Sequence, residues 1–161
     1  MDETDIKSKI IMNWDKISAQ LRLRIIQMSH EAKTAHLASA LSCVDILTVL
    51  YESILNVDSK NPYFKNRDRF ILSKGHAALA LYCILFEKGI IRKNILNTFG
   101  HNGTKLMAHV SHKVKGVEFS TGSLGHGLPV AVGKALYFKI NNKKLSICIL
   151  TIRHFVFNIQ N

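Results

Sequence analysis

Two stretches hold the residues best suited to chemistry: Arg67-Asp68-Arg69-Phe70-Ile71-Leu72-Ser73-Lys74-Gly75-His76-Ala77-Ala78 and Gly116-Val117-Glu118-Phe119-Ser120-Thr121-Gly122-Ser123-Leu124-Gly125-His126-Gly127. Each reads as a short extended segment running through glycine into a helix, an arrangement that turns main-chain N–H groups toward a phosphate. In Lys74-Gly75-His76 the glycine lets the backbone approach a ligand closely, and the imidazole can donate to a phosphate oxygen. The same tripeptide is also consistent with an ordinary turn glycine beside a solvated lysine. Gly122, Gly125, Gly127 and Gly133, with the hydroxyls of Thr121 and Ser123, would bring backbone close to a neighbour at a helix start. That neighbour is either a ligand or another packed element. The spacing Gly122-x-x-Gly125-x-Gly127 departs from the Rossmann pattern, so a nicotinamide cofactor fits poorly.

Histidine supplies the other chemistry, with 8 in the chain. His36 follows small residues ahead of a helix, His76 sits at a strand-to-helix turn, His109 and His112 fall in a loop, and His126 lies between two glycines. Singly, each is more often a structural or surface histidine than a catalytic one. Several of them at loop or helix-start positions of an α/β unit point to ligand binding, because parallel sheets bind ligands in the loops at the carboxyl ends of their strands.

The elements that must position these groups follow from periodicity. Residues 1–15 read as a leader, and Ile17, Leu21, Ile25, Met28 and Ala32 mark an amphipathic helix beginning near Lys16. Thr34 to Leu41 reads as a tight buried connection. Ser42 should open a second helix through a capping box with Asp45, and Val44, Leu47, Tyr51 and Ile54 give that helix an apolar face. Asn61-Pro62 breaks the pattern. Phe70 to Leu72 is a short buried strand, Ala77 to Lys88 a helix closed by Gly89, Arg92 to Thr98 a shorter helix, and Leu124 to Ile140 a third clear helix. Leu145 to Leu150 is the best strand candidate in the chain. Strands alternating with helices predict an α/β fold with helices around a parallel sheet.

Composition narrows the class further. The chain has 161 residues, 47% of them hydrophobic, which is enough for one buried core and too few for two ordinary domains. Its 22 Lys and Arg against 11 Asp and Glu give a net charge of +11, suited in principle to nucleic acid, anionic membrane or phosphorylated ligands. The basic residues are scattered, with pairs such as Lys143-Lys144 the longest runs, so a nucleic-acid partner is disfavoured. Cys43, Cys83 and Cys148 have neither C-x-x-C spacing nor a zinc-type histidine pattern, and read as small buried hydrophobes in a reducing compartment. Met1-Asp2-Glu3-Thr4-Asp5 is acidic where a secretory signal is basic, and the longest apolar run, Ala77 to Phe86, falls short of the roughly 20 residues a membrane span needs. The expectation is a cytoplasmic protein without a membrane partner.

Four ordered motifs then carry a family resemblance. Thr34-Ala35-His36 with Ser42-x-x-Asp45-Ile46-Leu47-x-x-Leu50-Tyr51, and Arg67-Asp68-Arg69-Phe70-Ile71-Leu72-Ser73-Lys74-Gly75-His76-Ala77, resemble the histidine loop and the R-D-R-F-x-L-S-x-G-H-A motif of transketolases. Ala108-His109, Gly116-Val117-Glu118 and Thr121-Gly122-Ser123-Leu124-Gly125 resemble that family's G-H-P, P-G-V-E and T-G-P-L-G-Q-G. The likeness covers residues 16–150, as part of the family's N-terminal, thiamine-diphosphate-binding domain, and is similar to the N-terminal subunit of two-chain transketolases.

The resemblance implies thiamine-diphosphate-dependent transfer of two-carbon ketol units between sugar phosphates, within carbohydrate metabolism and the pentose phosphate pathway. It places His76 on the cofactor's diphosphate, Gly122, Ser123 and Leu124 along the cofactor, and His36 and His109 facing the sugar as catalytic groups. It also implies dimerisation, with the pyrimidine domain supplied by a partner subunit. The sequence departs from the pattern at Ser123 and His126, which replace proline and glutamine, and at Val110 and Lys115, which replace prolines. After Leu150 the family has a metal-binding G-D-G, whereas here Thr151-Ile152-Arg153 follows, and no Asp or Glu occurs after Glu118. The Mg²⁺ ligands are therefore missing, since that ion requires oxygen donors. Residues 151–161 read as a divergent tail on a fold incomplete at its C-terminus, with catalysis by this chain alone not expected. A non-catalytic remnant or interaction module is the alternative, and a basic nucleic-acid binder a weaker one.

Overall fold

The computed structural model describes residues 2–151 and 156–159. Helix α1 (Glu3–Glu31) is one unbroken helix, so the segment read as a leader is the first part of it. Residues 3–15 contain neither proline nor glycine, and nothing in them stops a helix from propagating backward from the packed half. Burial begins further along, at Ser18, Leu21 and Ile25, while Ile10, Ile11 and Met12 are exposed.

The expected buried connection at Thr34–Leu41 is instead a short helix, α2 (Leu37–Leu41), in which Ala40 alone is buried. Ser42 closes α2 rather than opening the next helix: its hydroxyl donates to the Ser39 carbonyl at 3.0 Å, so the expected capping box is not formed. Asp45 pairs across to Arg22 of α1 at 2.6 Å. Helix α3 (Val44–Val49) follows and widens into a π turn, Leu50–Ile54, where the Leu55 N–H reaches back to the Leu50 carbonyl at 2.8 Å.

Strands β1 (Arg69–Leu72) and β2 (Ile147–Leu150) pair in parallel, Arg69 opposite Ile147 and Leu72 opposite Leu150. Between them run a 3₁₀ turn (Gly75–Ala77), α4 (Ala78–Glu87), α5 (Lys93–Leu96) and α6 (Gly127–Ile140). A third strand, β3 (Val156–Ile159), lies antiparallel to β2 with Val156 opposite Leu150. The sheet, ordered β1-β2-β3, is thus mixed and not wholly parallel. The reason is connectivity: five residues separate β2 from β3, which suffices for an antiparallel return but not for the crossover a parallel neighbour needs.

Side-chain alternation splits the core between the two faces of β1 and β2. Phe70, Leu72, Cys148 and Leu150 face the large cluster built with α1, α3 and α4, whereas Ile71, Ile147 and Ile149 face Ala131, Ala135 and Phe138 of α6. Helix α4 is buried along Ala78–Leu85, as expected of a helix apolar on every side. Gly89 ends it at φ +70°, with the Gly89 N–H on Phe86 and the Ile90 N–H on Leu85, the paired bonds of a Schellman turn. The consequence for function is that the loops after β1 and before α6 meet at one edge of the sheet.

Candidate functional site

His36, His76 and His109, 73 positions apart at the extremes, form one cluster at that edge. Ring centroids are 4.7 Å apart for His36–His76 and for His76–His109, and 5.5 Å for His36–His109, all in edge-on arrangements. One ring nitrogen from each lies within 4.8 Å of the others.

Each ring is positioned by a different device. His36 precedes α2 in a left-handed conformation, φ 75°, that a non-glycine residue adopts only under constraint, and its carbonyl accepts the Ala40 N–H at 3.1 Å. His76 is carried by the 3₁₀ turn that leaves β1, where the Ser73 and Lys74 N–H groups both bond the Leu150 carbonyl. The His109 carbonyl accepts the Tyr82 hydroxyl at 3.0 Å, which fixes its loop to α4. An isolated antiparallel bridge, Val110 with Thr121, then sets the glycine run beside His109. Thr121 in turn donates its hydroxyl to the Leu72 carbonyl at 2.5 Å, closing that loop onto the end of β1.

Glycine matters at two close approaches. A Cβ on Gly75 would meet the Thr121 carbonyl oxygen at 2.3 Å, and one on Gly127 would meet Ser73 at 2.6 Å. These contacts draw the post-β1 loop and the start of α6 together. A Cβ on Gly122 would lie 3.8 Å from the His109 ring, an ordinary contact, whereas one on Gly125 or Gly133 would meet nothing within 4 Å. Close packing against another element of the chain therefore occurs at Gly127 and not at Gly125 or Gly133.

Ser123 and Leu124 stand exposed on the rim, with Leu124 57% accessible. His126 is exposed at the α6 start, and His112 bonds Ser120 instead of joining the cluster. The pKa of His76 is lowered, first by partial desolvation and then by His109, His36 and Lys74, which favours its neutral ring. A neutral imidazole offers one N–H donor and one acceptor. Sequence reasoning gives no structural part to Tyr82, and it gives Ser42 and Thr121 different ones: Ser42 is expected to cap the following helix and Thr121 to offer its hydroxyl at the α6 start, whereas Ser42 bonds Ser39 and Lys74 and Thr121 bonds Leu72.

Acidic groups lie at the other edge. Asp68 accepts the N–H of Asn56 and of Ser146, each at 2.8 Å, and Glu118 accepts Arg67 and Lys134. Among the described residues, the cluster of three or more His, Cys, Asp or Glu with converging ligand atoms is the three imidazoles. That set does not fit Mg²⁺, which requires oxygen ligands. It fits a diphosphate better: imidazole donors gather there, and no carboxylate belongs to the cluster to repel it. A cavity of about 510 Å³ lies elsewhere, between the end of α1 and the Leu96–His101 segment.

Residues 14–159 match the family described as transketolase, thiamine diphosphate binding domain. The chain belongs to that family. An apulose-4-phosphate transketolase subunit from Actinobacillus succinogenes is 43% identical over 139 residues, covering 85% of this chain and 50% of that protein. The subunit of the same name from Phocaeicola vulgatus is 41% identical over 124 residues, covering 77% and 44%. The solved structure of transketolase from Campylobacter jejuni superposes with a TM-score of 0.78 at 33% identity, over 86% of this chain and 23% of that one. The chain spans about half the length of these curated relatives. The match places the transketolase fold on these residues and reaches past Leu150 into the segment read as divergent. No helix among the described residues is long and apolar enough to cross a membrane.

Proposed function

We propose that this transketolase domain uses the imidazole edge to hold thiamine diphosphate and a sugar phosphate, as one part of a two-carbon ketol transferase completed by a partner subunit. The observation that carries the reading is the convergence of His36, His76 and His109 beside Gly122. When bound, thiamine diphosphate supplies the nucleophilic carbon and the electron sink for cleavage next to a carbonyl. His76, favoured as the neutral ring, donates a hydrogen bond to the diphosphate. His36 and His109 face the transferred two-carbon unit, hydrogen-bond its hydroxyls and move protons there. Gly122 leaves room beside His109, and Ser123 and Leu124 line the cofactor from the rim.

The relatives are named as single subunits of a transketolase, which supports a partner chain that brings the pyrimidine domain. Apulose-4-phosphate in their names supports sugar phosphates as the substrate class, wider than the pentose phosphate pathway alone. Three free, buried cysteines agree with the reducing cytoplasm as its compartment. Thr151-Ile152-Arg153 in place of the family's G-D-G favours a second reading, a non-catalytic interaction module.

Titration calorimetry of the chain with thiamine diphosphate, with and without Mg²⁺, separates the two. Binding at about the millimolar level, independent of Mg²⁺ and weakened by His76→Ala but not by His101→Ala, is expected of the cofactor site. Binding that ignores His76→Ala, or no binding at all, would leave the interaction module as the better account. Micromolar, Mg²⁺-dependent binding would overturn the assignment of a metal-free site.

A further inference from the structure

The three-imidazole cluster has a capacity that does not depend on the cofactor reading. Its rings arise from three separate loops, and one nitrogen of each already lies within 4.8 Å of the other two. A tetrahedral zinc ion holds nitrogen ligands at about 2.0–2.1 Å, which puts them roughly 3.4 Å from one another. The rings have to close a difference of at most about 1.4 Å to hold such an ion. His36 is the exposed member of the three, while Tyr82 and the Val110–Thr121 bridge hold the backbone at His109. The ligand set is all imidazole, which suits zinc, copper and nickel and is poorly suited to magnesium or calcium.

We infer that His36, His76 and His109 form a three-nitrogen binding site for a divalent ion of the zinc class, its fourth position open to solvent. Three histidines with one open position are the pattern of zinc sites that keep a place for water or another ligand, rather than of a closed structural site. An ion seated there takes up the nitrogens proposed above to serve cofactor and sugar, so zinc inhibits the assembled enzyme. That consequence rests on the proposed function, whereas the site itself does not.

The test titrates the untagged chain with Zn²⁺ by calorimetry and with Co²⁺ by visible absorption. One equivalent of each is expected, with the intense bands of four-coordinate Co²⁺. His36→Gln combined with His109→Gln should weaken binding by about tenfold or more, judged against the 10–100-fold lost when even outer-shell partners are removed, while His112→Gln and His126→Gln leave it unchanged. Because a variant can lose its fold, the unsubstituted chain gives a second reading: Zn²⁺ should protect His36, His76 and His109, and not His101, from acylation by diethyl pyrocarbonate. Unchanged affinity in the double variant, thiolate-to-cobalt charge-transfer bands, or failure of Zn²⁺ to protect the three rings would each overturn the inference.

Discussion

The Lys74 ammonium donates to the Ser42 hydroxyl at 2.9 Å, tying the turn that carries His76 to the helix junction that follows His36. Lys74 is 8% exposed, and the same ammonium opposes the burial that raises the Cys43 thiol's pKa. The bond runs between positions 32 apart and bridges two of the three loops that build the imidazole cluster. Ser42→Ala removes that acceptor and leaves the lysine one hydrogen bond short. A loss of about 1 kcal/mol in urea denaturation is expected, below the range for bonds to charged groups because Ser42 itself is solvent-accessible. An unchanged midpoint would show that water replaces the hydroxyl at no cost.

Glu118 is the hinge of a buried ion network. Its side chain is 9% exposed, accepts Arg67 and Lys134, the latter at 3.4 Å, and lies in ion-pair range of Arg69 at 3.7 Å. Glu118→Ala leaves Arg67 and Arg69 without their carboxylate in a largely desolvated site, while Lys134, 35% exposed, reaches solvent, so a loss of about 3 kcal/mol is expected, the low end for removing one partner of a buried pair. Chemical denaturation measures it, and a loss below about 1 kcal/mol, the level of an exposed pair, would show that the cations find solvent.

Two glycines should respond in opposite directions. Gly75→Ala drives a Cβ into the Thr121 carbonyl, which belongs to rigid backbone, so the post-β1 loop must shift and about 1–3 kcal/mol is lost. Gly133→Ala sits in the interior of α6 facing open space, so it should gain roughly 0.5–1 kcal/mol from helix propensity. Paired thermal melts check both signs.

The thiols should be silent in the folded chain. Burial raises Cys83 to about 12 and Cys148 to about 11 from the ordinary 9.0. At about pH 8 both are thiols rather than thiolates, so alkylation by iodoacetamide should follow unfolding and not precede it. The linkage has a definite sign. A raised native pKa favours the protonated form in the fold, so this stabilisation is complete below pH 9 and is lost as pH rises toward 11 and 12. Stability measured from about pH 8 upward should fall, and Cys148→Ala should flatten that decline.

Sequence alone determined the family and the alternation of strands and helices, and it named the histidines and glycines from which the candidate site is drawn. Phe70–Leu72 and Ile147–Leu150 are legible because a strand buried on both faces must be a continuous apolar run, and α4 because a helix buried all round must be. Gly89 is legible because only its backbone freedom suits the left-handed turn after α4. Tertiary structure decided the rest. Ser42 fits a local capping pattern, yet its hydroxyl turns to the Ser39 carbonyl and the Lys74 ammonium, the latter 32 positions away. The direction of β3 depends on a short connection and on the open edge of β2, neither of which has a periodic signature. The convergence of His36, His76 and His109 likewise depends on the Tyr82–His109 bond, the Thr121–Leu72 bond and the close fit of Gly75 against Thr121, contacts between segments that local patterning reads one at a time.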